Sequence, residues 1–259
     1  MMCRLLAAIL AFVLIPNAFA YQRIVLLAPA AGDILIQLGA ADKVVGVTRN
    51  NFDFPNATKI GSHIKPNVEL IKRLKPDLLI ISSNRFFSQQ MAALIDAQTL
   101  LYNPLTLDDI LVQVQQLGEL SDHQSQAKAL IDKLTLLRAE IKPLKLKPKV
   151  VYEVTEHPFM IAGKGNIVNS IIEAAGGELF APSQRKIAKF NFESVLFAAP
   201  DYYIYQTGPM NKNPTPPAQR ANYQALHSHY MKVDQLSFSR ANTASFYHAL
   251  ALNQAFAQQ

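Results

Sequence analysis

The sequence Asn67-Val-Glu-Leu-Ile-Lys-Arg-Leu-Lys-Pro-Asp-Leu-Leu-Ile80 has a second version in the same chain, Asn191-Phe-Glu-Ser-Val-Leu-Phe-Ala-Ala-Pro-Asp-Tyr-Tyr-Ile204. Aligned without a gap, the two versions share an asparagine, a glutamate, a proline, an aspartate and an isoleucine. Most of the other positions are apolar in both versions. Internal similarity of this kind is typical of a repeated structural unit. We therefore interpret the chain as two related halves, built around repeat 1 (residues 67–80) and repeat 2 (residues 191–204).

Each repeat predicts a short helix, a turn and a buried strand. The first asparagine, Asn67 or Asn191, is a good N-cap because its side-chain oxygen accepts a hydrogen bond from the first helical turn. The glutamate two residues later lies at the positive end of the helix dipole. Pro76 and Pro200 end the helix, because the residue before a proline is pushed out of the α region. An apolar run then follows in both repeats, as expected of a buried strand.

The segments that precede the two repeats also resemble each other. Arg23–Leu27 predicts a strand, followed by a helix that Gly39 ends in the usual helix-stop position. Lys149–Val154 predicts a second such strand, followed by the helix Ile167–Ala175 and a pair of glycines. Strands that alternate with helices indicate mostly parallel sheets that are covered on both faces.

A long helix is predicted between the two halves. Leu130, Leu134, Leu137 and Ile141 have heptad-like spacing on a polar background, which gives one apolar stripe. A helix of roughly 20 residues would be about 30 Å long, enough to lie across two lobes. We therefore predict a signal segment over 1–20, an N-terminal lobe over 21–120, a connecting helix over 121–147 and a C-terminal lobe over 148–259.

Three shorter segments complete the secondary-structure prediction. The pattern predicts helices over residues 91–97 and 218–227, and a loop over residues 236–240.

The first twenty residues predict a cleaved secretory signal. Arg4 precedes the apolar run Leu5–Ile15, and Ala18-Phe-Ala20 provides small residues for cleavage. The run is too short to cross a bilayer. Cys3, the only cysteine, precedes the apolar run, whereas a lipoprotein cysteine would follow it. We therefore expect a secreted protein without a lipid anchor.

Composition narrows the function classes. Half of the sequence is apolar, which is enough for two modest cores. Without Arg4 the chain has 24 basic and 19 acidic residues, a net charge of +5. The basic residues are spread along the chain without a run, so we expect no nucleic-acid binding. They are compatible with attraction to an anionic ligand.

Four groups of motifs occur along the chain: Arg23-Ile-Val-Leu-Leu-Ala-Pro-Ala with Leu38-Gly-Ala and Val44-Val-Gly-Val, Asn67-Val-Glu with Leu74-Lys-Pro-Asp-Leu, Ala162-Gly-Lys-Gly-Asn with Ala174-Ala-Gly-Gly-Glu, and Phe192-Glu-Ser-Val with Ala199-Pro-Asp. Through these motifs the chain resembles the periplasmic solute-binding proteins of the cobalamin, iron-siderophore and haem class, the receptors of type II ABC importers. The motifs extend over nearly the whole mature chain.

The resemblance implies an α/β fold with two Rossmann-like lobes, mostly parallel sheets and one long connecting α-helix, the class III periplasmic-binding-protein architecture. It implies a ligand in the cleft between the lobes, a periplasmic monomer, and an ABC permease and ATPase complex at the inner membrane as partner. Glu69 and Glu193 match the surface glutamates, one in each lobe, that dock such receptors onto the permease. An alternative interpretation is that each glutamate only stabilises its own helix through the helix dipole, and both interpretations can hold together.

Within this class the chain is most similar to the cobalamin receptors, through Asn51-Phe-Asp-Phe-Pro55, His157-Pro-Phe159 and Phe238-Ser-Arg-Ala241. We therefore expect cobalamin or a related corrinoid as ligand, with haem or an iron-siderophore as the alternative. Aromatic side chains and a few polar groups suit a large flat macrocycle. The predicted ligand-binding residues are Phe52, Phe54, His63, Arg85, Phe86, His157, Phe159, Gln206, Thr207, Phe238 and Arg240.

Histidines raise the question of metal binding. His63 and His157 could ligate the metal of a haem or corrinoid, or could be surface residues with local hydrogen bonds. His227 and His229 have no acidic or cysteine residue beside them that would complete a metal site. We expect neither a resident metal ion nor a cofactor.

An enzyme on a doubly wound fold is the main alternative from another class. A dinucleotide site would need Gly-x-Gly-x-x-Gly after the first strand, where this chain has Ala28-Pro-Ala-Ala-Gly-Asp33. A hydrolase would need the nucleophile elbow Gly-x-Ser-x-Gly, which does not occur. We therefore predict a binding protein rather than an enzyme.

Overall fold

The first half of the chain forms a five-stranded parallel sheet. We call this sheet, together with the helices that cover it, the N-lobe. The structure is a computed structural model that describes residues 20–258, so the predicted signal segment lies outside the described residues apart from Ala20. The strands lie in the order β3-β2-β1-β4-β5 and all neighbours are parallel. Their bounds are β1 Ile24–Leu26, β2 Val44–Val47, β3 Thr58–Lys59, β4 Leu78–Ile81 and β5 Gln98–Leu101.

The second half forms a six-stranded mixed sheet, the basis of the C-lobe. Its strands lie in the order β11-β10-β6-β7-β9. The sixth strand, β8, pairs with the start of β6, whereas β7 pairs with the end of β6. The strands β11, β10, β6 and β8 are mutually parallel, whereas β7 runs antiparallel to both β6 and β9. Their bounds are β6 Lys149–Thr155, β7 Met160–Ala162, β8 Glu178–Leu179, β9 Ile187–Lys189, β10 Tyr202–Thr207 and β11 His229–Asp234.

Nine α-helices within residues 20–258 cover the sheets. They are α1 Ala31–Leu38, α2 Val68–Arg73, α3 Gln89–Ala92, α4 Leu107–Ser121, α5 Gln124–Ala139, α6 Ile167–Ala174, α7 Phe192–Ala198, α8 Gln235–Phe238 and α9 Ala244–Phe256. None of these helices combines the length and the hydropathy that a membrane-spanning segment requires.

The duplication is visible in the topology. The neighbours β2-β1-β4-β5 of the N-lobe correspond to β8-β6-β10-β11 of the C-lobe, and both sets are parallel. In each lobe a helix with a left-handed glycine after it, Gly39 or Gly176, leads into the outer strand of this set. The C-lobe differs by the insertion of β7 and β9, which makes its sheet mixed.

The two repeats have the same helix starts and the same left-handed turn. The side-chain oxygens of Asn67 and Asn191 accept hydrogen bonds from the backbone N–H three residues later, so the predicted N-caps are confirmed. A residue of positive φ follows each helix, Lys75 at 46° two residues after α2 and Ala199 at 45° directly after α7. The buried proline of each repeat follows this residue, and the chain then enters β4 or β10.

In each repeat, the shared aspartate and a basic residue at the start of the neighbouring strand form hydrogen bonds that hold the turn between helix and strand. The carboxylate of Asp77 accepts hydrogen bonds from the backbone N–H groups of Gln22 and Arg23, and that of Asp201 accepts one from the N–H of Lys149. The side chains of Arg23 and Lys149 donate to carbonyl oxygens at the end of α2 and α7. The shared aspartate therefore ties the turn before one strand to the start of its neighbour.

The predicted connecting helix is shorter than expected and is not isolated. Residues 121–147 were predicted as one helix, but α5 has 16 residues and would be about 24 Å long. Asp122 has a left-handed conformation, with φ of 62°, and separates α5 from α4. The helix packs against α1 and α4 in the N-lobe and against α9 in the C-lobe. Leu130 and Leu134 belong to one apolar core that continues through both lobes.

Other predicted elements also need correction. Residues 218–227 form two short 3₁₀ turns, Pro217–Gln219 and Ala221–Tyr223, because Arg220 between them points inward. Residues 236–238, predicted as part of a loop, belong to α8, whose N-cap Asp234 accepts a hydrogen bond from the N–H of Ser237. The helix predicted over residues 91–97 is the single turn α3.

Candidate ligand-binding cleft

A cavity with a volume of about 980 Å³ lies between the two lobes. It lies where parallel strands of both sheets end. In the N-lobe, the lining segments end or follow β1, β2, β4 and β5, in that order: residues 28–30, 48–50, 82–86 and 101–104. In the C-lobe, the lining includes Val154 near the end of β6, Gln206 near the end of β10, and Gln235 and Leu236 after β11. Ligands of open α/β sheets bind outside the carboxyl ends of strands, so the cavity is the candidate site.

Among residues 20–258, those that line this cleft carry positive charge and include no carboxylate. Arg49 and Arg85 contribute from the N-lobe, and Lys186 and Arg240 from the C-lobe. Within residues 20–258 none of the three arginines forms an ion pair. The ammonium group of Lys186 reaches across the cleft and donates to Oδ1 of Asn103 at 2.6 Å. The cleft can therefore supply several cationic hydrogen-bond donors to an acidic ligand.

Backbone packing holds Lys186 at the cleft. The Gly-Lys-Gly turn that precedes α6 lies directly beneath the segment 183–186. A Cβ atom on Gly163 would lie 2.1 Å from the carbonyl oxygen of Arg185, so only glycine fits there. The backbone N–H of Gly163 donates to the carbonyl oxygen of Lys186. Partial burial lowers the pKa of the Lys186 amine.

An imidazole and an aromatic ring form one part of the N-lobe wall. The rings of His63 and Phe86 contact each other edge to face, with centroids 5.9 Å apart. The Arg85 guanidinium lies 5.8 Å from the centroid of the Phe86 ring. Burial lowers the pKa of His63 below its ordinary value of 6.5, so the neutral imidazole is favoured at neutral pH. A neutral imidazole nitrogen can ligate a metal, whereas a protonated one cannot.

A buried ion pair anchors the loop that forms part of the C-lobe wall. Arg220 makes two hydrogen bonds to the carboxylate of Glu153, at 2.6 and 3.0 Å, and its Nε donates to the carbonyl oxygen of Thr215 at 2.8 Å. Glu153 is fully buried and also accepts from the hydroxyl of Tyr203. The loop between β10 and Arg220 includes Pro209 and Met210, which line the cleft.

Hydrogen bonds between the lobes lie beside the cleft. The carboxylate of Asp33 in α1 accepts from the hydroxyl of Thr243 at 2.6 Å and from its backbone N–H at 3.1 Å. The hydroxyl of Tyr102 donates to the carbonyl oxygen of Ala241 at 2.5 Å. These contacts join the N-lobe to the C-lobe beside the cleft.

Five of the predicted ligand-binding residues line the cleft: His63, Arg85, Phe86, Gln206 and Arg240. The amide of Gln206 is held from several sides, because its Oε1 accepts from Tyr152 and Ser239 and its Nε2 donates to a backbone carbonyl.

The other predicted ligand-binding residues do not line the cleft. Phe54 and Phe238 are buried in the core, at 4% and 2% exposure, because loops at a sheet edge also cover the core. Phe159 packs against Phe192 in the C-lobe. Phe52 is exposed to solvent beside Lys59 rather than in the cleft.

His157 and Thr207 also lie outside the lining of the cleft. The His157 side chain is exposed, and its Nε2 lies 3.4 Å from a carboxylate oxygen of Glu156. The hydroxyl of Thr207 faces the carbonyl oxygen of Lys212 at 3.4 Å. Neither residue is part of the cleft lining.

The sequence analysis missed several residues of the cleft. Arg49 lies two residues after β2 and Tyr102 directly follows β5, so their position at a carboxyl strand end was a usable signal. Lys186 and Met210 lie in long connections, and nothing in the local pattern distinguishes them.

The two predicted docking glutamates have equivalent positions. Glu69 and Glu193 are exposed in the first turns of α2 and α7, and neither forms an ion pair within residues 20–258. Their helices start five residues after His63 and Ile187, which line the cleft. The docking role itself stays a prediction.

Comparisons with known proteins agree with this geometry. The model of the family described as "Periplasmic binding protein" matches residues 24–226. The chain is 27% identical over 214 residues to the vitamin B12-binding protein of Vibrio cholerae, covering 76% of each chain. It is 28% identical over 172 residues to the high-affinity haem uptake protein IsdE of Staphylococcus aureus, covering 62% of this chain and 59% of IsdE.

Solved structures share the fold. The periplasmic haem-binding protein HutB of Vibrio cholerae matches with a TM-score of 0.79 at 17% identity, over 90% of this chain and 98% of HutB. The periplasmic vitamin B12-binding protein BtuF of the same species matches with a TM-score of 0.71 at 20% identity, over 93% of this chain and all of BtuF. The predicted class III architecture is thereby confirmed.

Proposed function

The chain belongs to the periplasmic binding protein family, the substrate-binding components of ABC importers, and from that membership we propose that it captures cobalamin or a related corrinoid and delivers it to a membrane permease. Delivery requires export to the periplasm, for which residues 1–20 would serve as a cleaved signal. The relatives that suggest the ligand are named for binding and uptake, so the proposal includes no catalytic step.

The size and position of the cleft carry this proposal. Its volume of about 980 Å³ is at the upper end of the range for small-molecule sites, which is roughly 300–1,000 Å³. Both lobes line it, so a bulky ligand would contact the two sheets at once. A corrin ring has broad apolar faces and amide edges, which suit Phe86 and the amides of Asn103 and Gln206.

Haem is a second candidate ligand, because the charge of the cleft favours an acidic molecule. Haem has two carboxylates, and four cationic side chains surround the cavity without a lining carboxylate. His63 offers a neutral imidazole at the same wall. Here Arg49, Arg85, Lys186 and Arg240 would hold the carboxylates, and His63 would approach the iron.

A direct titration distinguishes the two ligands. Residues 21–259 would be titrated with cyanocobalamin, hemin and a ferric hydroxamate, following ligand absorbance and tyrosine emission. Saturable binding of cyanocobalamin alone would support the leading proposal. A Soret shift with hemin that depends on His63 would assign haem instead. Binding of none of the three would contradict the proposed ligand class.

Arginine variants provide a second test of whether the cleft binds haem or cobalamin. Arg49→Gln with Arg240→Gln removes one cation from each wall, and we expect hemin affinity to fall at least tenfold while cyanocobalamin affinity changes little. Arg138→Gln is the matched control, because Arg138 lies on α5 and pairs with Asp108 outside the cleft.

A further inference from the structure

One aromatic side chain is left almost entirely in water. Phe197 on α7 is 93% exposed, more than any other large apolar residue within residues 20–258. The same helix buries Val195 and Ala198 against the C-lobe sheet, so its folding does not depend on the Phe197 ring. Exposing a whole phenylalanine ring is unfavourable, which makes this position informative.

The two repeats show that the backbone does not require an aromatic residue here. Arg73 occupies the aligned position on α2 and is exposed as well. Arg73 follows Glu69 by four residues, and Phe197 follows Glu193 by four residues. Residues four apart lie on one face of a helix. Each lobe therefore presents a glutamate beside a second group, which is a cation in the N-lobe and an aromatic ring in the C-lobe.

Both surfaces lie close to the cleft. The start of α2 is five residues from His63 and the start of α7 is five residues from Ile187, and both of these residues line the cavity. Five residues span at most about 18 Å. A partner that takes the ligand from the cleft would therefore meet both helices.

We propose that Phe197 is the anchor of the C-lobe docking surface and inserts into an apolar socket of the permease, next to a basic group that pairs with Glu193. The inference rests on the proposed delivery to a permease. Large aromatic side chains at the centre of a contact supply much of its binding energy, whereas exposed charges mainly guide the encounter. Because the N-lobe has Arg73 at the same position, the permease can tell the lobes apart, and the receptor docks in one orientation.

The test measures binding of ligand-loaded receptor to the source organism's own permease and ATPase complex in nanodiscs. We expect Phe197→Ala to weaken this binding about tenfold to a hundredfold, the range that corresponds to losing one buried aromatic side chain. Ligand affinity and the thermal midpoint should not change, because Phe197 contacts neither cleft nor core. Leu136→Ala is the control, because Leu136 is also an exposed apolar residue, at 69% exposure on α5. Leu130 and Leu134 of α5 pack in a different apolar core from Val195 of α7.

Each result has one interpretation. If Phe197→Ala binds the complex like wild type while Glu193→Ala binds weakly, the anchor is refuted and the proposed function stands. If neither wild type nor variants bind any complex in the ligand-loaded state, delivery itself is refuted. If wild type self-associates in sedimentation, Phe197→Ala is monomeric and both bind the complex equally, the ring contacts a second copy and the inference is overturned.

Discussion

Removing Arg220 should destabilise the protein more than any exposed charge substitution. The Arg220 side chain is 6% exposed and that of Glu153 is 0%, and the pair forms two hydrogen bonds at 2.6 and 3.0 Å. Arg220→Met leaves the Glu153 carboxylate buried without its cation. Breaking a buried pair from one side costs about 3–5 kcal/mol. For a chain of this size each kcal/mol lowers the melting temperature by about 2–4 °C, so we expect a fall of about 6–20 °C.

Calorimetry and urea unfolding of residues 21–259 would measure this loss. Two controls test the reasoning. Arg138→Met breaks the exposed pair with Asp108 and should cost less than about 1 kcal/mol. Glu153→Leu combined with Arg220→Met removes both charges and should regain most of the stability. The reasoning is refuted if Arg220→Met costs no more than Arg138→Met, or if the double variant is less stable than Arg220→Met alone.

The same substitution should also affect ligand binding. Arg220 holds the carbonyl oxygen of Thr215, and the loop before it carries Pro209 and Met210 at the cleft. We expect weaker ligand binding in Arg220→Met even at temperatures where the variant is fully folded, because the C-lobe wall is then less ordered. Unchanged affinity would mean that the loop holds its position without the ion pair.

Three further predictions follow from the structure. Glu69→Ala with Glu193→Ala should abolish uptake in cells and leave ligand affinity intact; loss of ligand binding in a folded double variant would count against a docking role. Because Asp33 and Thr243 connect the lobes, small-angle scattering with and without ligand should show little domain closure, and curves typical of a wide clamshell would contradict this. Burial lowers the pKa of His248 below 6.5, so the unfolded chain binds the proton more readily and stability should fall as pH drops through 6.5. Melting temperatures at pH 7.5 and 5.5 would show a smaller drop in His248→Gln, and an equal drop would exclude His248 as a contributor.

Local sequence patterns predicted the repeated unit well because each part depends on neighbouring residues. Asn67 and Asn191 cap their helices through hydrogen bonds three residues away, and Gly39 adopts the left-handed conformation that ends α1. Proline position and apolar runs predicted where β4 and β10 begin. Alternating strands and helices predicted mostly parallel sheets, and the motifs along the chain supplied the family resemblance that implied the class III fold.

Local patterns failed where a residue's role depends on distant packing. Phe54 and Phe238 have the same local context as cleft aromatics, but Phe54 lies against Gly32 and Phe238 stacks on Tyr152. Both contacts join segments far apart in the chain. The break at Asp122 and the inward turn of Arg220 also depend on partners that a local pattern does not reveal.

The amino-acid sequence alone therefore determined the duplicated architecture, the helix, turn and strand of each repeat, and the position of one glutamate at the start of each repeated helix. Only the tertiary structure decided which side chains line the cleft. Lys186 comes from the segment before β9 and Arg49 from the end of β2, yet both face the same cavity. The positive charge of that cavity arises because two sheets bring the ends of separate strands together, and no single stretch of sequence contains it.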